Sequence, residues 1–188
     1  MAETLSTEDL VASGKHVLDA QAIDRSLTRL SYEIIERTGG GDDVVVLGIP
    51  TRGEPVAARI VTKLAKQGVT VAAGVLDITM YRDDLDSQPT RAPHRSDIPA
   101  CGIDDKTVIL VDDVLYSGRT IRAALEALAD IGRPAAVQLA VLVDRGHRQL
   151  PIRPDYVGKN LPTSRSESVH VLVKEIDGVD AVVIGKGA

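Results

Sequence analysis

The sequence predicts an α/β fold in which a mainly parallel, twisted sheet is flanked by helices, with a small hood over its C-terminal edge. Short runs of branched apolar residues, typical of buried strands, alternate along the chain with amphipathic segments of helical spacing. Glycines and prolines stand at the boundaries between these segments. The alternation favours parallel pairing, because each helix returns the chain to the start of the next strand.

The first half of the chain follows this pattern after a polar start. Residues 1–17 are acidic and polar and predict a flexible tail. Apolar residues at helical spacing predict a helix over residues 19–37, and the branched run at residues 44–49 predicts a buried strand. Pro55 is suited to the first position of the next helix, and Gly68 is suited to its end.

The second half continues the alternation around two longer polar stretches. Residues 81–105 have little periodicity and predict a flexible active-site loop, whereas residues 145–165 predict a loop-rich hood. We expect one domain over residues 1–188. A helix is predicted over residues 119–131, and strands are predicted over residues 69–80, 107–113, 135–144, 169–174 and 181–184.

Composition excludes several classes of function. The chain has 188 residues, 44% hydrophobic and 26% charged, and its net charge of −5 does not indicate a strongly basic nucleic-acid binder. Phe and Trp are absent, which argues against a module that stacks RNA bases on aromatic side chains. A single cysteine, the lack of a long apolar run and the lack of a secretory signal predict a cytoplasmic protein without contact to membranes.

Two adjacent carboxylates, Asp112 and Asp113, stand at the end of the third predicted strand. They repel each other and are costly there unless a ligand binds them. Vicinal ribose hydroxyls can donate to carboxylates, and residues 117–120 offer backbone N–H groups and hydroxyls that suit a phosphate. The pattern therefore predicts a site for a ribose 5-phosphate. A capped helix after a solvent-exposed strand end is the alternative for the carboxylate pair alone.

Loops after two other predicted strands reach the same edge of the sheet. Ligands of parallel sheets bind beyond the carboxyl ends of the strands. Residues 50–53 and residues 144–146 therefore converge with the carboxylate pair on one candidate site. For residues 50–53 taken alone, an ordinary turn between a strand and a helix is the alternative.

Three segments give the sequence a resemblance to a known family. The stretch VILVDDVLYSGRT (108–120) is similar to the phosphoribosyl-pyrophosphate (PRPP) signature of type I phosphoribosyltransferases. Together with LDITMYRDDL (76–85) and DRGHRQLPIRPDYVGKN (144–160), it resembles the PyrR family of bifunctional pyrimidine-operon regulators and uracil phosphoribosyltransferases. The resemblance covers residues 18–188. It implies the type I phosphoribosyltransferase fold and the conversion of uracil and PRPP to UMP and pyrophosphate.

The resemblance also implies residue roles in that reaction. Residues 81–105, beginning near Arg82, match a flexible loop that closes over PRPP. The implied catalytic residues are Asp112, Asp113, Arg52 and Arg82. The implied PRPP-binding residues are Thr51, Arg52, Gly53, Asp112, Asp113, Ser117, Gly118, Arg119 and Thr120.

The remaining implied ligands are the base and a metal ion. Uracil would be held by Asp144, Arg145, Tyr156 and Val157, with the Tyr156 ring as its neighbour. Mg²⁺ would act through the pyrophosphate and ribose oxygens of the substrate, without a dedicated set of protein ligands. The resemblance further implies a homo-oligomer of at least two copies.

A basic segment raises the question of RNA binding. Within residues 145–165, five cationic side chains oppose one carboxylate, a local charge of +4 on an acidic chain. A solvated surface is the ordinary interpretation of such a segment. The resemblance instead implies binding of the leader mRNA of pyrimidine genes, favoured by uridine nucleotides. The implied RNA contacts are Thr28, Arg29, Arg37, His147, Arg148, Arg153 and Lys159.

Three functions remain open from the sequence. The first is a UMP-responsive RNA-binding regulator that also forms UMP, and the second is a salvage phosphoribosyltransferase without RNA regulation. The third is a non-catalytic, nucleotide-sensing RNA binder. Arg52, Arg82 and the intact carboxylate pair weigh against the third, and the basic segment weighs against the second.

Overall fold

A five-stranded parallel sheet forms the centre of the structure, a computed structural model that describes residues 7–82 and 96–186. Every neighbouring pair of its strands is parallel, which confirms the predicted fold class. In spatial order the strands are β3 (Ala72–Val75), β2 (Val44–Gly48), β4 (Thr107–Leu115), β5 (Ala136–Asp144) and β6 (Tyr156–Asn160).

A second sheet has three antiparallel strands and lies against one face of the first. Its order is β1 (Lys15–Asp19), β8 (Ala181–Lys186) and β7 (Glu167–Leu172). The short helix α1 (Thr7–Ser13) packs beside β8 through Leu10, and α5 (Lys174–Asp177) connects β7 to β8.

Helices cover both faces of the parallel sheet because its strands are apolar on both sides. Val44 and Val46 pack towards α2 (Ala20–Thr38) and α3 (Gly53–Lys66), while Val45 points to the other face. That face is covered by α4 (Arg119–Ile131), together with the 3₁₀ turn Thr79–Tyr81. None of the helices in the described ranges is both long enough and apolar enough to span a bilayer.

Helix α2 begins and ends at residues that commonly cap helices. The Asp19 carboxylate accepts the Ala22 N–H at 2.7 Å, which caps the first turn. Gly39 closes the helix in the left-handed region with φ 71°. In α3, by contrast, Pro55 is the third residue and not the first, because the helix already begins at Gly53.

The predicted strand over residues 107–113 continues to Leu115, so Asp113 lies two residues before its end. Three other predicted regions differ more strongly from the structure. Residues 7–17 are not a flexible tail, because α1 and β1 occupy most of them and β1 pairs with β8. The predicted strand over residues 69–80 is shortened to β3, since the Asp77 carboxylate accepts the Thr79 N–H and starts the 3₁₀ turn. The predicted loop-rich hood contains the fifth parallel strand, β6.

Candidate active site

The candidate site lies where the direction of the chain across the sheet reverses. β2 and β4 are neighbours in the sheet, but α3 follows β2 onto one face and α4 follows β4 onto the other. The two connections therefore diverge and leave a crevice at the carboxyl ends of the strands. Such a switch point is the general ligand-binding position of open α/β sheets.

The loop after β2 is drawn close to β4 on one side of this crevice. The Ile49 N–H donates to the Val111 carbonyl at 2.9 Å, and the Pro50–Thr51 peptide bond is cis. A Cβ atom on Gly53 would lie 2.5 Å from the Val111 carbonyl oxygen, so only glycine allows this approach. The contact places Arg52, the residue before α3, beside the carboxylate pair that follows Val111.

The carboxylate pair itself is organised by its own backbone. Asp112 is 7% exposed, and its Oδ1 accepts the N–H of Asp113 at 2.9 Å. Asp113 is partly buried, and its Oδ1 accepts the N–H of Val114 at 2.9 Å. Within the described residues neither carboxylate has a cation at ion-pair distance, and the two carboxyl side chains interact with each other.

Burial makes this pair unusually hard to ionise. Burial and then the charge of Asp113 raise the pKa of Asp112 well above its usual value, while the charge of Arg82 opposes the shift. Burial also raises the pKa of Asp113, against hydrogen bonds and the charge of Arg52. Arg52 and Arg82 therefore act on the pair from a distance. The pair is electrostatically incomplete, as expected for a site completed by a ligand.

The turn between β4 and α4 is fixed in shape by the hood. Gly118 has φ 94° and, as a glycine before α4, caps no N–H group with a side chain, so N–H groups of the first turn face outward from the helix end. The Ser117 carbonyl accepts the N–H groups of Gln149 at 3.0 Å and Leu150 at 3.2 Å. The Ser117 hydroxyl accepts the N–H of Arg119 at 3.4 Å. This arrangement brings the predicted phosphate residues Ser117, Gly118, Arg119 and Thr120 together at one helix start.

Arg52 is held by a carboxylate that sequence reasoning missed. Its Nε and Nη2 donate to Asp177 at 3.1 and 2.7 Å. Burial opposes ionisation of Asp177, but the hydrogen bonds from Arg52 and from the Val173 N–H hold its pKa below the usual value. The hydrogen bond from Asp177 is in turn the main reason that the pKa of Arg52 is raised. No local pattern marks Asp177, which lies in the short turn between two strands.

A cavity of about 410 Å³ lies in the hood, next to this site in the sheet. It is lined by residues 144–147 after β5 and residues 160–163 at the end of β6. The structure thus brings the predicted base-binding residues Asp144 and Arg145 to a cavity. Sequence reasoning missed residues 160–163, because their proximity depends on the parallel pairing of β5 with β6.

Two of the four arginines in the hood, Arg145 and Arg148, form hydrogen bonds within it. Arg145 is buried, and its guanidinium donates to the Thr163 hydroxyl at 3.2 Å and to the carbonyls of Ser164 and Glu167. Its Cζ lies 4.3 Å from the centroid of the Tyr116 ring. These contacts tie the loop after β5 to the loop before β7.

Arg148 links the hood to the turn after β4. Its guanidinium donates to the Asp144 carboxylate at 2.5 Å and to the carbonyls of Tyr116, Gly146 and Ile152. The same Asp144 accepts the Gly146 N–H at 2.9 Å. Asp144 therefore shapes the loop in addition to lining the cavity.

The structure places Tyr156 in the core, away from the hood cavity. Its side chain is 1% exposed within the core, its hydroxyl donates to Gln138 at 2.6 Å, and Arg37 lies over its ring at 5.3 Å. Tyr156 pairs with Ala140 in the middle of the sheet, well before the carboxyl edge where β5 ends. Val157, its neighbour in β6, is likewise remote from that edge and packs against the core. Neither side chain reaches the cavity.

The predicted flexible loop is only partly described. Arg82 is exposed at the start of this loop. Its charge lowers the pKa of Asp112, against the larger effects of burial and of the Asp113 charge, which raise it. Near the end of the loop, the Ser96 hydroxyl accepts the N–H of Asp77 at 3.0 Å. Residues 83–95 lie outside the described residues.

Five of the predicted RNA-contact residues lie around α2 and β6. Arg29 donates to the Glu33 carboxylate and to the carbonyls of Val157 and Gly158, next to Lys159. Lys159 is exposed. The other three residues near these elements are Thr28, Arg37 and Arg153, and we call the five together the α2–β6 surface.

Some side chains of the α2–β6 surface are already bonded within the protein, whereas others are free to contact a ligand. Arg37 forms an ion pair with Asp155 at 3.3 Å, and the Thr28 hydroxyl accepts a hydrogen bond from Lys63 at 2.8 Å. Arg153 and Lys159 are exposed and have no hydrogen bond or ion pair to any residue of the described chain. His147 and Arg148 lie apart from this surface, in the hood, where a ring nitrogen of His147 lies 2.6 Å from the Thr163 carbonyl.

Comparisons with known proteins agree with this geometry. A family model described as a phosphoribosyl transferase domain matches residues 13–174. The Bifunctional protein PyrR of Streptomyces coelicolor is 60% identical over 181 residues, covering 95% of this chain and 93% of that protein. The Bifunctional protein PyrR of Mycolicibacterium paratuberculosis is 57% identical over 177 residues, covering 92% and 93%.

Solved structures of similar fold are more distant in sequence. The hypoxanthine phosphoribosyltransferase of Trypanosoma cruzi has a TM-score of 0.69 at 17% identity, covering 93% of this chain and 97% of that one. That of Staphylococcus aureus has a TM-score of 0.67 at 17% identity, covering 92% and 93%. They establish the fold, while the relatives at high identity confirm the resemblance of the sequence segments. The chain belongs to the PyrR family of phosphoribosyl transferase domain proteins.

Proposed function

We propose that this chain transfers the phosphoribosyl group of PRPP to uracil and also binds leader RNA of pyrimidine genes in response to UMP. The observation that best supports the transferase is the pair Asp112 and Asp113. Both are buried enough for their pKa to be raised, and both lack an ion-pair partner among the described residues at the switch point of the sheet. Such a pair suits a ligand that donates hydroxyl hydrogens and develops positive charge.

The reaction assigns a charge to each side of the crevice. A bond forms between uracil N1 and ribose C1′ as the bond from C1′ to pyrophosphate breaks, and the base loses its N1 proton. Positive charge develops on the ribose ring, which Asp112 and Asp113 would stabilise. Negative charge develops on pyrophosphate, for which Arg52 is placed. Residues 117–120 would hold the 5′-phosphate at the start of α4.

Magnesium fits this site through the substrate. No group of three or more His, Cys, Asp or Glu side chains that could hold a metal occurs in residues 7–82 and 96–186. Asp112 and Asp113 lie side by side at the switch point without an ion pair to the described residues, and such a pair of carboxylates suits ribose hydroxyls or a hydrated cation. Bound Mg²⁺ would supply positive charge that neutralises the leaving pyrophosphate, and Asp112 and Asp113 would be the nearest carboxylates to hold it.

The hood cavity is the proposed position of uracil. It adjoins the site through β5, whose neighbour β4 carries the carboxylate pair. Residues 144–147 and 160–163 line it, and they include polar residues of the kind that a pyrimidine edge needs as donors and acceptors. This assignment replaces Tyr156 and Val157 with residues 160–163.

The decisive experiment for the transferase is an assay of UMP formation from uracil, PRPP and Mg²⁺. We expect kcat/KM to fall by about a hundredfold or more in D112N/D113N, because the charge that stabilises the ribose is removed. The matched control is D42N/D43N, a second pair of adjacent aspartates that is exposed at the opposite end of the sheet, before β2. Undiminished UMP formation in D112N/D113N would refute the site.

The RNA-binding proposal depends on cations that are free to meet phosphates. Arg153 and Lys159 meet this condition, so R153Q and K159Q should each weaken binding of a pyrimidine-gene leader RNA. Each should also lower the slope of log affinity against log salt by about one. The control is R165Q, an exposed arginine outside the α2–β6 surface.

A salvage enzyme without RNA regulation is the second candidate, favoured by the ion pair and hydrogen bonds that occupy Arg29 and Arg37. UMP formation without RNA binding, measured with and without UMP at stated salt, would decide for this candidate. RNA binding without UMP formation would leave a nucleotide-sensing RNA binder. The proposed homo-oligomer is tested by light scattering, and a monomer at assay concentration would contradict it.

A further inference from the structure

The turn between β7 and β8 binds two arginines, one in the middle of α3 and one immediately before it. Arg59 donates to the Glu175 carboxylate at 2.8 and 2.6 Å and to Asp180 at 2.7 Å. Arg52, seven residues earlier and on the same side of the helix, is gripped by Asp177. The two contacts differ in position, because Arg59 lies along the helix and Arg52 lies at the proposed site.

Asp177 is built into the protein rather than placed on its surface. Its side chain is 4% exposed, whereas that of Arg52 is 35% exposed. Besides the two hydrogen bonds from Arg52, it accepts the N–H of Val173 at 2.8 Å. The carboxylate is thus fixed by the backbone at the end of β7, and the arginine is the partner that extends into the crevice.

The geometry of the pair leaves part of the guanidinium available. Asp177 uses Nε and Nη2, and in the described chain Nη1 has no hydrogen-bond partner. Nη1 carries two N–H groups that can donate to a pyrophosphate oxygen while the ion pair stays intact. An ion pair that had to break before the ligand could bind would instead occupy all the N–H groups of the guanidinium.

We propose that Asp177 is a positioning residue that holds the Arg52 guanidinium ready for the pyrophosphate of PRPP. This inference rests on the proposed transferase function. An unrestrained arginine loses rotamer freedom when it binds a ligand, and a carboxylate that has already ordered it removes that cost from binding. Asp177 therefore acts on the affinity for pyrophosphate groups and not on the binding of UMP, which has no pyrophosphate.

The test compares D177A, D177N and D177E with E175Q, which alters the neighbouring carboxylate that serves Arg59. In D177A, the KM for PRPP and the inhibition constant of pyrophosphate should both rise by about tenfold, while UMP affinity changes by less than about twofold. D177E should recover part of the loss, and E175Q should resemble the parent. A purely structural role would weaken UMP and pyrophosphate together.

A double-substitution cycle separates action through Arg52 from any other effect. If Asp177 acts through Arg52, D177A adds less than about twofold to the KM for PRPP in an R52A background. Full additivity, an unchanged KM in D177A, or a lower KM as expected of an ion pair that must break before binding, would each overturn the proposal. If the parent forms no UMP, the proposed transferase fails, and pyrophosphate binding by calorimetry still tests the Arg52–Asp177 pair.

Discussion

Two kinds of buried carboxylate surround the same edge of the sheet. Asp112 and Asp113 have backbone hydrogen bonds but no ion-pair partner in the described chain. Asp144 and Asp177 are paired with Arg148 and Arg52. The two paired carboxylates hold loops and side chains in place, whereas the unpaired ones raise the free energy of the folded state. The difference indicates that a ligand, and not a protein cation, compensates the charge of Asp112 and Asp113.

Paired and unpaired carboxylates should differ most in how a substitution changes the free energy of unfolding. A buried ion pair is costly to break from one side, because the remaining charge is left without compensation. Removal of an unpaired buried charge relieves a cost instead. The two sets should therefore respond with opposite signs to substitutions that look alike in the sequence.

The largest effect on stability is expected for R148A. The substitution removes four hydrogen bonds and leaves the Asp144 carboxylate without its cation. The free energy of unfolding, measured by urea denaturation, should fall by about 3 kcal/mol. The control is R153A, which removes an exposed arginine from the same segment and should change stability by less than about 0.5 kcal/mol. Equal values for the two variants would remove the distinction between paired and free cations in the hood.

A smaller loss is expected for D144N. The amide keeps an oxygen that can accept from Arg148 or from Gly146 but lacks the charge that binds the guanidinium. Urea denaturation should show a loss of about 1.5 kcal/mol. If D144N lowered the free energy of unfolding as much as R148A, the charge of Asp144 alone would account for the stabilisation that Arg148 provides.

No loss of stability is expected for D112N at neutral pH. Because burial makes the ionised Asp112 costly, a neutral amide of the same shape should leave the free energy of unfolding within about 0.5 kcal/mol of the parent or raise it. UMP formation should nevertheless collapse. A destabilisation comparable with that of D144N would show that Asp112 serves the fold and would count against the comparison.

The smallest effect is a difference in pH dependence. Above the usual value of 3.8, the raised pKa of Asp112 means that the folded chain holds more proton than the unfolded chain. The free energy of unfolding therefore falls as pH rises through that window, and D112N should remove this part of the slope. For Asp177 the pKa is lowered, so its stabilisation is present above the usual value and is lost as pH falls. Identical slopes in D112N and in the exposed control D42N would contradict this difference.

Local patterns predicted the part of the site that is contiguous in the chain. Asp112 and Asp113 lie near the end of a strand, residues 117–120 lead into a helix, and both facts are visible in 13 letters of sequence. The same holds for Arg52, which follows a strand and precedes a helix. The fold class followed from the alternation of strands and helices.

What could not be predicted depends on distant parts of the chain. Asp177 meets Arg52 across 125 positions, and residues 160–163 reach the cavity only because β6 pairs with β5. Tyr156 lay in a segment rich in proline and charge, which concealed a buried strand whose apolar ring packs in the core. The charge count of residues 145–165 was likewise misleading, since Arg145 and Arg148 are bonded internally.

The position of β1 has a consequence for handling the protein. β1 pairs along one edge of β8, and Leu10 of α1 covers apolar residues of the same sheet. A chain shortened to begin at residue 20 would leave the N–H and C=O groups of that edge open. It would also uncover Val183 and Leu172, which are buried in the intact chain. Open apolar edges recruit strands from other molecules. Trimming the polar start of this chain to improve its solubility would therefore promote aggregation.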